Sequence, residues 1–115
     1  MQPLPRARFE ALVVDALDLL AEELVELIDN VVITVADRHH EEPELLGLYE
    51  GIPLTDRHDY GALMLPDRIT IYRLACCDVC ADEDELVWEV AVTVVHEIAH
   101  HFGIEDDRLE ELGWA

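Results

Sequence analysis

Residues 82–103 constrain this chain more than any other segment. Asp82, followed three positions later by Glu85, has the pattern of a capping box that opens a helix. Leu86, Val87, Val90, Val94, Val95, Ile98 and Ala99 then recur at helical spacing as far as Phe102. Gly103 ends the run at the position where a left-handed residue is wanted. A chain of 115 residues has room for one core built around such a helix, so the reading is a single domain over residues 1–115. With 51% hydrophobic and 30% charged residues, the composition is globular and too apolar for a disordered protein.

The rest of the chain supplies shorter elements. Phe9, Leu12, Val13, Ala16, Leu17, Leu20, Leu24, Leu27 and Ile28 fall mostly three and four apart, which predicts one amphipathic helix over residues 9–30. Asp15, Asp18, Glu22, Glu23 and Glu26 mark its outer face, and Asn30 closes it. Val31-Val-Ile-Thr-Val35 contains four β-branched aliphatics and reads as a buried strand. Leu48 and Tyr49, between Gly47 and Gly51, form a short second strand. Residues 68–73 form a third, with Ile69 and Ile71 facing one way and Arg68, Thr70 and Tyr72 the other. A last helical turn is expected at residues 107–112.

Charge narrows the partners. Asp and Glu number 27 against 7 basic residues, all Arg, for a formal net charge of −20. Such a field repels nucleic acid and anionic membrane, and it favours basic peptides, a basic protein partner or divalent metal. Because the acids recur throughout the chain, most of them read as solubilising surface. Cys76, Cys77 and Cys80 are too few and too close to staple a secreted fold, so a reducing cytoplasm is the expected compartment. They also fall short of a four-ligand zinc site without a distant residue such as His58. Small apolar positions leading into a helix are the simpler reading. Glu10, Asp15 and Asp18 interrupt the apolar residues that follow Arg6 and Arg8, which leaves no signal-peptide core.

Within the long helix stands His96-Glu97-Ile98-Ala99-His100. Four residues advance 400°, so the two imidazoles lie within about 40° of each other, one turn apart, and reach a single metal. Glu97 flanks that metal, where a general base stands to take a proton from water. Gly103 permits a sharp turn and Asp106 follows three residues later, which makes Asp106 the candidate third ligand; Glu105 and Asp107 are chemically acceptable substitutes. In a chain of this composition the five-residue pattern is expected by chance roughly 0.04 times, so accident is a poor explanation. His39, His40 and His58 read as solvated loop residues, and His101 as an exposed residue off the ligand face.

The run from Thr93 to Leu109, together with Gly47-Leu-Tyr-Glu-Gly-Ile-Pro-Leu54 and Asp67-Arg-Ile-Thr-Ile-Tyr72, resembles the bacterial minimal zincin-like metallopeptidases. The resemblance spans residues 9–113. It implies a small α+β zincin-like fold with an N-terminal amphipathic helix, a sheet of about three strands and a C-terminal motif helix. It further implies Zn2+ held by His96, His100 and Asp106, with Glu97 as the catalytic base in peptide-bond hydrolysis. The extended motif is similar to that of metzincins, but their methionine turn has no counterpart, since Met1 and Met64 both precede the motif. An edge strand at residues 68–74 is expected to pair with an extended peptide. Tyr49, Tyr60 and Tyr72 are candidate oxyanion donors, with packing or surface display the simpler reading of each. The rival reading is a non-catalytic acidic module that docks a basic partner and keeps a structural or vestigial metal site.

Overall fold

The computed structural model describes residues 1–51 and 66–114. Along the chain these form α1 (Arg6–Leu17), α2 (Glu22–Leu27), β1 (Val31–Ala36), β2 (Gly47–Glu50), β3 (Asp67–Tyr72), α3 (Arg73–Val79), α4 (Glu83–Phe102) and α5 (Asp106–Glu111). This is the expected small α+β architecture. The capping box is present, as Asp82 Oδ1 accepts a 2.8 Å hydrogen bond from the Glu85 N–H. Gly103 ends α4 with φ at +67°.

The sheet order is β1-β3-β2, with β1 parallel and β2 antiparallel to β3. Residues Ile69, Thr70, Ile71 and Tyr72 are all buried, because β3 is flanked by strands on both edges. β1, expected to be a buried strand, is instead an edge, with Val32 44% exposed. The third strand is likewise no edge: β3 lies in the centre, and the antiparallel edge is β2. Sequence cannot make this distinction, since β-branched residues suit any half-buried pleated surface.

The single N-terminal helix expected over residues 9–30 is two helices. Ala21 adopts an extended backbone, with φ −61° and ψ 145°, and the chain turns there before α2 begins. Apolar periodicity runs through the break because Leu20 and Leu24 are buried on either side of it. Phe9, Leu12, Val13 and Ala16 bury one face of α1, which packs against α4. Leu86, Val90, Val94, Val95 and Ile98, all fully buried, carry the core along α4. β3 stops at Tyr72, where Arg73 starts α3. The Arg73 guanidinium donates to the Leu4 carbonyl at 2.6 Å and to Asp37 Oδ1 at 2.9 Å, fastening the N-terminal segment to the end of β1.

Cys76, Cys77 and Cys80 are free and buried, in keeping with a packing role. Burial pushes the Cys76 thiol up to about 12 and the Cys80 thiol up to about 11. Redox and metal chemistry both need the thiolate, which this environment disfavours. Among the described residues no helix is long and apolar enough to cross a membrane.

The raised thiol values have a consequence for stability. An unfolded thiol ionises near 9, whereas the folded Cys76 holds its proton to about 12, so the unfolded state binds fewer protons above pH 9. These two thiols therefore leave stability in urea unchanged below about pH 9 and lower it as pH rises towards 12. The fall should be shallower in the Cys76→Ala, Cys80→Ala variant, compared by denaturation midpoints.

Candidate metal centre

The placement of the motif follows from how α4 divides its surface. Its core face takes Val94, Val95, Ile98 and Ala99, so His96 and His100 are left exposed and Glu97 half-buried beside β2. At the left-handed Gly103 the chain reverses, and the Ile104 N–H returns to the Ala99 carbonyl at 2.9 Å. That turn carries Asp106, at the start of α5, back towards α4. Leu109 is buried and anchors α5 against the core. The Trp114 N–H donates to the Leu109 carbonyl at 2.8 Å, and its ring stacks on Trp88 with centroids 5.1 Å apart.

A cavity of about 290 Å³ results, lined by His96, Ala99, His100, Ile104, Asp106, Leu109 and Trp114. Of the three acids weighed as the third donor, Asp106 lines it and Glu105 and Asp107 do not. Glu105 instead caps α5, its carbonyl accepting from the Arg108 and Leu109 amides. Among the described residues no three His, Cys, Asp or Glu side chains converge closely enough to hold an ion as they stand. The donor set still suits zinc, because two imidazoles and one carboxylate share a cavity wall, and among the described residues none of the three is spent on a hydrogen bond or ion pair.

Glu97 is held from the other side. Its Oε1 accepts the backbone N–H of Tyr49 in β2 at 3.0 Å. This contact depends on Gly47, two residues earlier. A Cβ on Gly47 would stand 2.6 Å from Thr93 Cγ2, and the Thr93 hydroxyl is itself tied to the Glu89 carbonyl at 2.8 Å. Only a residue without a side chain lets β2 lie so near α4. The Tyr49 ring stacks on His101 at 3.9 Å, and its hydroxyl donates to Asp67 Oδ2 at 2.8 Å. The Tyr49 amide and the His101 stack escape a reading of the sequence, because backbone hydrogen bonding and cross-element stacking leave no trace in residue spacing.

The other candidates separate clearly. The Tyr49 hydroxyl is committed to Asp67, which removes it as a free oxyanion donor. Tyr72 is buried at the end of β3 and lines neither wall of the site, while Tyr60 and His58 lie outside the described residues. His39 Nδ1 accepts the amides of Glu41 and Glu42 and stabilises a loop. Residues 68–74 offer no edge to an extended peptide, because β3 is paired on both sides; of the two outer strands, β2 is the one beside Glu97.

The profile of the zincin-like metallopeptidase family matches residues 28–114. This chain belongs to that family. Among solved structures, a conserved hypothetical protein from Thermo thermophilus shares the fold, with a TM-score of 0.56 and 20% identity. The match covers 86% of this zincin-like chain and 94% of the other. No curated protein matches the sequence.

Substituting Gly47→Ala should force β2 away from Thr93 and lengthen the Tyr49–Glu97 hydrogen bond. Overpacking of this kind costs about 1–3 kcal/mol, measurable as a lower urea midpoint. Thr93→Ser beside it removes the clashing methyl and should restore part of the loss.

Proposed function

We propose that this chain is a zinc-dependent metallopeptidase in which His96, His100 and Asp106 hold the metal and Glu97 is the general base. The observation that carries the reading is the shared wall: both imidazoles and Asp106 line one cavity, with Glu97 on the adjoining face of the same helix. Bound there, zinc supplies Lewis acidity, lowering the pKa of water it holds to about 7 and polarising a carbonyl.

The protein's own groups do the rest. The Tyr49 N–H fixes Glu97 through Oε1, which leaves Oε2 to accept a proton from the attacking water and pass it to the leaving amine. Because Tyr49 directs its amide at Glu97, the outward backbone groups of β2 left for pairing are those of Gly47 and the Tyr49 carbonyl. An extended peptide pairing along that edge brings its scissile carbonyl beside Glu97. Ile104, Leu109 and Trp114 give the cavity an apolar wall against which substrate can pack.

Protein purified without added metal should contain about one zinc per chain by elemental analysis. His100→Ala and Asp106→Ala should each weaken zinc binding more than about 100-fold, beyond the range seen when only the groups that hydrogen-bond to ligands are lost. Glu97→Gln should keep the zinc and lose about 10²–10⁴ in kcat on a fluorogenic peptide mixture. Undiminished turnover by Glu97→Gln would remove Glu97 from the chemistry. Absence of both zinc and turnover would shift the reading to the acidic docking module.

A further inference from the structure

A second cavity, of about 360 Å³, adjoins the first at His96 and runs back between α4 and the segment that enters β2. Leu45, Leu46 and Val92 give it apolar walls, and Glu44 and Glu89 face it from opposite sides. Glu44 is exposed and Glu89 half-buried, and neither carboxylate is engaged by a hydrogen bond or ion pair among the described residues. Each of the six described arginines is paired with a carboxylate elsewhere. The two acids of the groove are left for a cation from outside. Apolar walls ending in carboxylates match a side chain with an aliphatic stem and a charged head.

We propose that this groove binds an Arg or Lys side chain of the substrate, making Glu44 and Glu89 specificity-determining residues for basic peptides. The inference rests on the metallopeptidase reading, since the groove opens onto His96 and Glu97. A peptide paired along β2 would pass both that pair and the two acids.

The test uses two peptides, Ala-Ala-Arg-Ala-Ala-Ala and its neutral citrulline counterpart. Each is titrated calorimetrically against zinc-loaded and zinc-free Glu97→Gln protein, which cannot turn them over on the proposed mechanism. At 0.15 M salt the Debye length is about 8 Å, so charges remote from the groove are screened. The Arg peptide should bind about tenfold more tightly, the sum of two partly exposed ion pairs. Adding Glu44→Gln and Glu89→Gln should reduce the preference to less than about twofold, although these two substitutions remove only two of the 27 acidic residues. Glu44→Gln alone, at an exposed position, should give an intermediate value and guards against misfolding of the double variant. A preference that survives both substitutions, or no binding of either peptide, overturns the proposal. Cleavage of the Arg peptide by zinc-loaded wild-type protein is scored separately: a groove-dependent preference without cleavage defeats the hydrolase reading alone.

Discussion

One helix has to fill the core and display the His96-Glu97-His100 motif, and the rest of the structure is arranged around that double demand on α4. Leu86, Val90, Val94, Val95 and Ile98 are buried without remainder, so the register of the helix is set by packing. Once that register is set, His96 and His100 point outward, and Glu97 lies half-buried towards β2. The buried faces of α1 and α2 and strand β3 hold α4 in place. A shift of register would expose the core residues and bury the imidazoles together, so core stability and site geometry are one property of this helix.

Two close approaches then build walls around the exposed stripe. On one side Gly103 reverses the chain and Leu109 anchors α5, which brings Asp106 and Trp114 alongside the histidines. On the other, Gly47 lets β2 pass so near Thr93 that a backbone amide, rather than a side chain, holds Glu97. A backbone donor suits such a position, because its direction is fixed by strand pairing and costs no side-chain entropy. The stack of Tyr49 on His101 and its hydrogen bond to Asp67 keep the same strand seated on the helix end.

The charge of the chain is used unevenly. Five of the six described arginines sit in exposed ion pairs, such as Arg8 with Glu83 and Arg108 with Glu23, which individually add little to stability, while Arg73 is largely buried. Their distribution matters more than their strength, because most of them tie together elements distant in sequence and none of the six lines the groove beside Glu97. The acidity that reads as general solubilising surface in the sequence therefore has a local component at the site.

What could be read from residue order was whatever depends on local geometry. A capping aspartate, a terminal glycine and a 3.6-residue period define α4 and hence the placing of His96, Glu97 and His100, because side-chain direction in a helix follows from position alone. The reversal at Gly103 was legible for the same reason, and it made Asp106 the leading choice over Glu105 and Asp107. The break at Ala21, the central place of β3 and the edge position of β2 were not legible, since apolar spacing reports that a residue is buried and not what buries it. The hold of Tyr49 on Glu97, the Tyr49–His101 stack and the meeting of Glu44 with Glu89 across one groove arise only when segments some fifty residues apart come together, and no pattern within either segment records that meeting.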